Sequence, residues 1–401
     1  MKSLVRLLLA LCLTVQIHAQ TDIVGVYLTW QRDPTTTMTV NWVNLYPDTL
    51  AKVWYRTKED KDWKSATGTH HVAKPSAMQV RRAELSGLAP DTLYEFMLSE
   101  PGKTPKGVRR FRTLPAKLTR PLRFVGGGDM MHTRAFVDAM NQRAGALDPD
   151  FAVLGGDLAY ANGVDATRWV DWFQSWTLHA RGKDGRCIPM VVGIGNHEVK
   201  GGYNGRIPDD APYFYGFFPL PEGRAYYALD VADYLSFIVL DSGHTNAIQG
   251  PQAEWLAQAL GRRAAQRFLF PIYHFPAYGT AKATENNLPC ESPRAVELRT
   301  HWIPHFERHG VTAVFEHDHH NYKRTHPLRG HRRDDKNGII YLGDGAWGVN
   351  TRTVPKDAWY LAKAEPRRHL FHVTLNPDGT MKAEAVAADG EVFDQVTLSQ
   401  P

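Results

Sequence analysis

The chain has 401 residues, of which 43% are hydrophobic and 22% are charged, and its formal net charge is +5. This composition is typical of a globular protein of two or three domains, and it excludes an unstructured chain without a core. The charge excess is small for this length and no long run of Lys and Arg occurs, so we predict no nucleic-acid-binding patch. Nothing in the composition indicates an oligomeric state.

The N-terminus has the layout of a secretory signal peptide. Lys2 and Arg6 precede an apolar run over residues 7–15, and Ala19 offers a small residue before a cleavage point. We therefore predict a signal peptide over residues 1–19. The apolar run is too short to span a membrane comfortably, and no later segment is long enough. The expected location is secreted or periplasmic, without a membrane span.

Two cysteines, Cys187 and Cys290, remain after the predicted signal peptide. In an oxidising compartment they could form a disulfide bond. Their distance in space does not follow from the sequence. A disulfide bond and two buried free thiols are therefore both open.

Residues 20–116 are predicted to form a small all-β domain. Short runs rich in Val, Thr, Trp and Tyr alternate with turn clusters, which is typical of a β-sandwich. The predicted strands are 24–30, 38–43, 51–56, 93–98 and 108–113. The segment 85–94 resembles the fibronectin type III pattern, in which Tyr94 would be the corner tyrosine.

Residues 120–401 are predicted to form a second domain, in which apolar strands alternate with amphipathic helices. The predicted strands are 122–126, 151–154, 188–194, 226–230, 235–240, 268–273, 311–315, 339–342, 370–375 and 382–387. The predicted helices are 134–144, 166–180, 252–263 and 294–309. This mixture is typical of an α/β protein with sheets packed between helices.

Five of these strands run directly into residues that can bind metals. The residues are Asp129, Asp157 with Tyr160, Asn196 with His197, His274, and the loop 316–320. Ligands of open α/β sheets collect outside the carboxyl ends of the strands, so we expect these loops to meet at one edge. Carboxylate oxygens together with imidazole nitrogens suit Fe, Zn or Mn and not an all-oxygen calcium cage.

The order of these motifs resembles that of the calcineurin-like metallophosphoesterases. The motifs are Gly-Asp at 128–129, Gly-Asp-x-x-Tyr at 156–160, Gly-Asn-His-Glu at 195–198, a strand-terminal histidine and a histidine-containing loop. The tyrosine and the fibronectin-like first domain resemble the purple acid phosphatase branch. The resemblance implies a four-layer α/β/β/α sandwich. It also implies hydrolysis of phosphate monoesters by a hydroxide bound to two metal ions, Fe(III) and a divalent Fe, Zn or Mn.

The resemblance also implies a ligand set. Asp129, Asp157 and Tyr160 match the ligands of the ferric site. Asp157 would bridge to the second, divalent metal. Asn196 and His274 match ligands of that second site.

His197 matches the histidine that contacts the phosphate in the transition state. A histidine can hold its proton under mildly acidic conditions, and it could then protonate the leaving group. The expected substrate is a small phosphorylated molecule, and the expected pH optimum is acidic or near neutral.

One loop departs from the family pattern Gly-His-x-His. Here the run reads Glu-His-Asp-His-His-Asn-Tyr from residue 316. Alignment on Tyr322 makes His320 the ferric ligand and Asp318 the second residue, whereas alignment on the strand end selects His317 and His319. The tyrosine spacing favours His320 and leaves its partner open between Asp318 and His317. An aspartate there would make the second site harder and would favour Fe or Mn over Zn.

Two further histidines, His132 and His244, follow strand ends. Each could reach the substrate or could only line its loop, and the sequence leaves both readings open.

Two other functions are also open. A phosphodiesterase or nucleotide-cleaving enzyme could use the same metal core, because the ligands alone do not set the width of the pocket. The altered run 316–320 would also fit a secreted binding protein with a degenerate metal site. In that case the fibronectin-like module would contact a glycan or a partner.

Overall fold

The computed structural model describes residues 23–47, 51–98, 107–202, 206–281, 288–355 and 357–399. The predicted signal peptide at 1–19 lies outside these ranges. Across the described ranges, no helix combines the length and the apolar character that a membrane crossing requires.

The first domain is all-β, as predicted. Its strands are β1 (Ile23–Thr29), β2 (Met38–Asn44), β3 (Lys52–Thr57), β4 (Lys64–Thr67), β5 (Thr69–Val72), β6 (Gln79–Leu85), β7 (Leu93–Met97) and β8 (Arg109–Arg112). They form two antiparallel sheets with the orders β1-β2-β6-β5 and β4-β3-β7-β8. The sequence pattern did not reveal β4 to β6, because β4 and β5 are mostly exposed and polar and β6 carries three charged residues.

Tyr94 is the corner tyrosine that the sequence predicted. Its hydroxyl accepts the backbone N–H of Ala89 at 2.9 Å. Its ring stacks on Phe111 with the centroids 5.4 Å apart. The hydroxyl therefore fixes the turn before β7, while the ring contributes to the core of the sandwich.

The second domain contains the remaining strands and all six α-helices of the described residues. The strands are β9 (Leu122–Gly127), β10 (Phe151–Leu154), β11 (Met190–Val192), β12 (Tyr227–Val231), β13 (Leu235–Val239), β14 (Phe268–Ile272), β15 (Val314–Phe315), β16 (Tyr322–Thr325), β17 (Leu328–Arg329), β18 (Arg332–Arg333), β19 (Tyr341–Gly343), β20 (Leu361–Glu365), β21 (His369–Leu375), β22 (Thr380–Ala387) and β23 (Val392–Ser399). The helices are α1 (Arg134–Ala146), α2 (Ala166–His179), α3 (Pro212–Phe217), α4 (Pro251–Gly261), α5 (Pro293–His301) and α6 (Ile303–His309).

Two large sheets pack face to face in this domain, with helices outside them. One sheet has the order β11-β10-β9-β21-β22-β23, and the other has the order β12-β13-β14-β15-β19-β16-β20. Helix α1 packs against β21 of the first sheet, and α4 packs against β13 of the second. The predicted four-layer α/β/β/α sandwich is confirmed.

Aromatic side chains fill the space between the two sheets. Phe124 of β9 lies 5.5, 5.9 and 6.0 Å, between ring centroids, from Phe237, Phe270 and Phe315 of the opposite sheet. All four rings are buried. Burial of such a side chain contributes roughly 1.5–3 kcal/mol, and edge-to-face contacts add to it. This core holds the carboxyl ends of both sheets at one edge.

The predicted helix 294–309 is wrong in one respect, since it is two helices with a break at Trp302. Pro304 has no N–H to donate and its ring disfavours a continuous helix, which explains the break. The predicted strand 311–315 is shorter than expected. Gly310 ends α6 in the left-handed conformation and the N–H of Val311 still bonds to Phe306, so pairing starts only at Val314.

The two cysteines of the second domain, Cys187 and Cys290, are both buried free thiols. Of the two alternatives that the sequence left open, the structure therefore shows the free thiols.

The first domain is fixed to the second through helix α2. The backbone N–H of Val26 donates to the Thr177 hydroxyl at 3.0 Å. The Tyr27 ring stacks on Phe173 with the centroids 4.8 Å apart. Both contacts lie in the C-terminal half of α2, whose N-terminus follows the loop that carries Asp157.

Candidate metal centre

The predicted ligands meet at one edge because their strands run in the same direction. Strands β9, β10 and β11 are parallel neighbours in the first sheet. Strands β14 and β15 are parallel neighbours in the second sheet. The loops that follow their carboxyl ends therefore project toward the same place, which is where ligands of such sheets bind.

Asp129, Asp157 and His274 form the core of the site. Each offers one ligand atom, and these atoms lie within 4.8 Å of one another on buried side chains. Asp157 Oδ2 is 3.3 Å from His274 Nε2. Neither of these two buried atoms has a hydrogen-bond partner among the described residues. Buried polar atoms are rarely left in that state, and a cation between them would satisfy both.

The ring of His274 is oriented for coordination. Its Nδ1 is 3.0 Å from the carbonyl oxygen of Gly155, so Nδ1 carries the hydrogen and donates it. Nε2 is then the nitrogen that faces Asp157, and it would offer its lone pair to a cation that replaced its proton, as in metal-bound histidines whose other nitrogen donates to a carbonyl.

The electrostatic potential at His274 favours a positive charge. Burial disfavours a charged imidazole, but Asp157 and Asp129 outweigh burial and raise the pKa of His274 to about 10. A metal cation would meet the same field and would replace the proton.

Tyr160, Asp129 and His320 form a second face beside this core. The Tyr160 hydroxyl is 3.1 Å from Asp129 Oδ1 and 3.0 Å from His320 Nε2. His320 Nε2 is 3.1 Å from the same carboxylate oxygen. Ligand atoms that share a metal at about 2.0–2.2 Å lie roughly 3 Å apart, so the triangle has the size of a coordination face. His320 Nδ1 is 3.2 Å from the carbonyl of Asn350, which directs Nε2 into the triangle.

The phenol of Tyr160 needs a cation to ionise. Burial raises its pKa well above the ordinary value, and the charges of Asp129 and Asp157 raise it further. A metal in the triangle would reverse this effect, because coordination favours the deprotonated ligand.

Asp318 joins the first core, as one of the two alignments predicted. Its Oδ1 is 3.7 Å from His274 Nε2. Its backbone N–H donates to Asp129 Oδ2 at 3.0 Å. The loop therefore brings a carboxylate to the place where the family pattern has a histidine.

His317 and His319 have other positions. His317 Nδ1 is 3.1 Å from the carbonyl of Tyr273, and its ring lies so close to Gly155 that a Cβ there would overlap it. Burial lowers the pKa of His317 to about 4, so the ring stays neutral. His319 Nδ1 accepts the N–H of Thr280 at 3.0 Å. Both rings thus support the loops of the site.

Five candidate ligands share an unusual backbone conformation. Their φ angles lie in the left-handed region at 57°, 54°, 55°, 73° and 62° for Asp129, Asp157, Tyr160, Asp318 and His320. Such conformations cost of the order of 1 kcal/mol or more each and cluster at functional sites. The surrounding contacts hold these residues where their side chains face one point.

His197 faces the core from the solvent side. Its backbone N–H donates to Asp157 Oδ1 at 2.7 Å, and its ring stacks on Tyr160 with the centroids 4.3 Å apart. Its Nδ1 is hydrogen-bonded to the Asn162 side-chain oxygen, so Nδ1 carries a hydrogen. Its Nε2 lies 3.9 Å from Asp157 Oδ2, and the side chain is 32% exposed. Asn196 begins the short turn Asn196–Glu198 next to this ring.

Glu198 is a site residue whose role the sequence did not indicate. Its buried carboxylate accepts the backbone N–H groups of Asp157, Leu158 and Gly195 at 2.7, 2.8 and 2.8 Å. Burial and the charge of Asp157 raise its pKa to about 7, against the effect of these N–H donors. Glu198 joins two ligand loops, and only its place at the end of the Gly-Asn-His-Glu motif could have suggested this.

The two additional histidines lie at different depths. His132 Nδ1 accepts the N–H of Asn350 at 3.1 Å, and its partly exposed ring packs edge-on against Tyr160 at 4.8 Å. His244 is buried with its ring 5.5 Å from that of His274. His132 therefore lines the rim of the site, whereas His244 lies behind a candidate ligand.

The comparisons with known proteins agree with this architecture. Residues 123–321 match the family described as calcineurin-like phosphoesterase. Residues 23–113 match the family described as purple acid phosphatase, N-terminal domain. The chain therefore belongs to the calcineurin-like phosphoesterases. Within them it is a purple acid phosphatase-like member that carries the N-terminal domain of that branch, and this membership implies a dinuclear metal centre.

Two solved structures share the fold. Purple acid phosphatase PPD1 from yellow lupin (Lupinus luteus) seeds is 18% identical, with a TM-score of 0.77, and the match covers 94% of this chain and 74% of that chain. GAP50, the anchor in the inner membrane complex of Plasmodium, is 12% identical with a TM-score of 0.51, and the match covers 71% and 90%.

Sequence relatives occur in Mycobacterium tuberculosis. Uncharacterised proteins of strains CDC 1551 / Oshkosh and ATCC 25618 / H37Rv are each 27% identical in an alignment 399 residues long, and the match covers 89% of this chain and 70% of theirs. Their names assign no activity.

Proposed function

We propose that this metallophosphoesterase is a phosphatase that hydrolyses phosphate monoesters with the help of two metal ions. The observation that carries the proposal is the buried group of Asp129, Asp157 and His274, with two polar atoms aimed at one point and left without hydrogen bonds. When bound, two cations would supply Lewis acidity and would generate the hydroxide nucleophile at mild pH. Hydrolysis at such a site would proceed without a covalent bond between the protein and the phosphoryl group.

The chain offers a separate ligand set for each ion. Tyr160, His320 and Asp129 would hold the first, because their atoms form the triangle described above. His274 and Asp318 would hold the second, and the sequence prediction adds Asn196. Asp157 would help to hold both ions. We propose Asp318 as a ligand in preference to His317, because His317 is bonded to a backbone carbonyl and packed below the loops.

The identity of the metals is proposed from the donor atoms. The tyrosine, histidine and carboxylate of the first set suit Fe(III). Asp318 gives the second set a hard oxygen ligand, which favours Fe or Mn over Zn.

His197 would act on the departing group. Its Nδ1 is held by Asn162, so Nε2 faces the place where the phosphate would bind. In its protonated form it could stabilise charge on the phosphoryl oxygens or donate a proton to the leaving oxygen.

Assays with p-nitrophenyl phosphate and its bis-ester test the proposal. We expect hydrolysis of the monoester to exceed that of the diester by about 10-fold or more, and we expect a chelator to abolish the hydrolysis. Activity should return on addition of Fe or Mn. Faster hydrolysis of the bis-ester would instead establish the phosphodiesterase alternative. Purified protein that holds no metal and cleaves neither ester would favour the binding protein.

A further inference from the structure

Arg352 brings a positive charge to the candidate metal centre. Its Nη1 donates to the carbonyl oxygen of Asp318 at 3.1 Å. Its Nη2 is 3.4 Å from His320 Nε2. The guanidinium therefore lies between residues of the two ligand sets. The residue is partly exposed, so the same group can be reached from solvent.

The backbone around Arg352 is fixed to the site at several points. Its own N–H donates to the Asn321 side-chain oxygen at 3.0 Å. Two residues earlier, the N–H of Asn350 donates to His132 Nδ1 at 3.1 Å, and the carbonyl of Asn350 accepts from His320 Nδ1 at 3.2 Å. These contacts hold Arg352 in position before a ligand binds, which lowers the entropy cost of ligand binding.

Arg352 approaches His320 Nε2, and this nitrogen cannot bind two partners at once. Because His320 Nδ1 donates to a carbonyl, Nε2 has a single lone pair. That lone pair can accept from Arg352 or can bind a cation, but it cannot do both. No carboxylate of the described residues forms an ion pair with Arg352. A metal at His320 therefore leaves Nη2 of the guanidinium facing the site without an acceptor.

We propose that Arg352 binds a non-bridging oxygen of the substrate's phosphoryl group and thereby selects dianionic monoesters over diesters. This inference rests on the proposed phosphatase function. A guanidinium matches the geometry of phosphate oxygens and stays charged at all relevant pH values. A monoester carries nearly two negative charges near neutral pH, whereas a diester carries one. The positive charge of the Arg352 guanidinium therefore contributes more to binding of the monoester than to binding of the diester.

The test compares Arg352→Gln and Arg352→Lys with the wild type. The first readout is the dissociation constant of inorganic phosphate, measured by titration calorimetry on protein of known metal content. We expect Arg352→Gln to bind phosphate about 10-fold more weakly with the same number of ions bound, and Arg352→Lys to give an intermediate value. Arg333→Gln is the charge-matched control, because Arg333 is exposed and pairs with Asp335 at 2.8 Å. It should leave phosphate binding unchanged.

The second readout is kinetic. Arg352→Gln should lower kcat/KM for p-nitrophenyl phosphate by about 10-fold and that for the bis-ester by less than about 3-fold. Equal losses for both esters, unchanged phosphate binding, a loss of metal in Arg352→Gln, or an equal effect of Arg333→Gln would each overturn the role of Arg352. If the metal-loaded wild type neither binds phosphate nor cleaves the monoester, the phosphatase proposal fails first, and the two failures are thus distinguishable.

Discussion

Asp157→Asn is expected to abolish phosphatase activity and to leave the protein with fewer than two metal ions. The Asp157 carboxylate lies 3.3 Å from His274 Nε2, and its other oxygen accepts the N–H of His197. An amide is neutral and replaces one acceptor atom by a donor, so it would hold cations much more weakly than the carboxylate. We expect kcat to fall by roughly 10³-fold or more, since several kcal/mol of charge stabilisation depend on the metals. Metal analysis and p-nitrophenyl phosphate assays of the pure variant measure both effects.

Asp209→Asn is the matched control, because this aspartate is exposed on the surface. It should retain both ions and wild-type turnover. If Asp157→Asn kept two ions and more than about a tenth of the activity, Asp157 would not join the two sets of ligands.

His197→Ala is expected to lower kcat by roughly 10²–10³-fold without loss of metal. The His197 ring stacks on Tyr160 and presents Nε2 to the core, but it lies on the solvent side of the ligands. Removal of the ring deletes a proton donor and leaves the metal ligands in place. Steady-state kinetics together with metal analysis measure the effect.

The partner of His197 provides an internal check. Asn162→Ala should reduce kcat by a smaller factor, because Asn162 only orients the ring through Nδ1. In the double variant, the second substitution should add almost nothing to the effect of His197→Ala. Additive effects would separate Asn162 from the histidine, and metal loss in His197→Ala would make the histidine a ligand rather than an acid.

The sequence predicted most of the residues that surround the site, because the signal for each of them lies in its immediate sequence neighbours. Each candidate ligand directly follows an apolar strand, and the carboxyl ends of neighbouring parallel strands must meet at one edge. Asp129, Asp157 and His274 could therefore be placed together before their distances were known. The sequence left Asp318 and His317 as alternatives, because a shift of one residue in a loop leaves no periodic signal.

Arg352 and Asn162 show what the sequence could not provide. Arg352 approaches His320 through a loop whose path depends on hydrogen bonds to Asn321 and to His132. Asn162 has no motif of its own, and its left-handed φ of 51° turns it toward His197. Contacts between loops of distant segments set both positions. The break at Trp302 is different, since it follows from Pro304, a local signal that the sequence itself contains.

The decisive measurement for a two-metal site is the metal content of the purified wild-type protein, determined by mass spectrometry against protein concentration. We predict two ions per chain, with iron or manganese among them, in preparations that hydrolyse p-nitrophenyl phosphate. Full activity in preparations that hold less than one ion per chain, even after chelation, would rule out a metal-dependent hydrolysis.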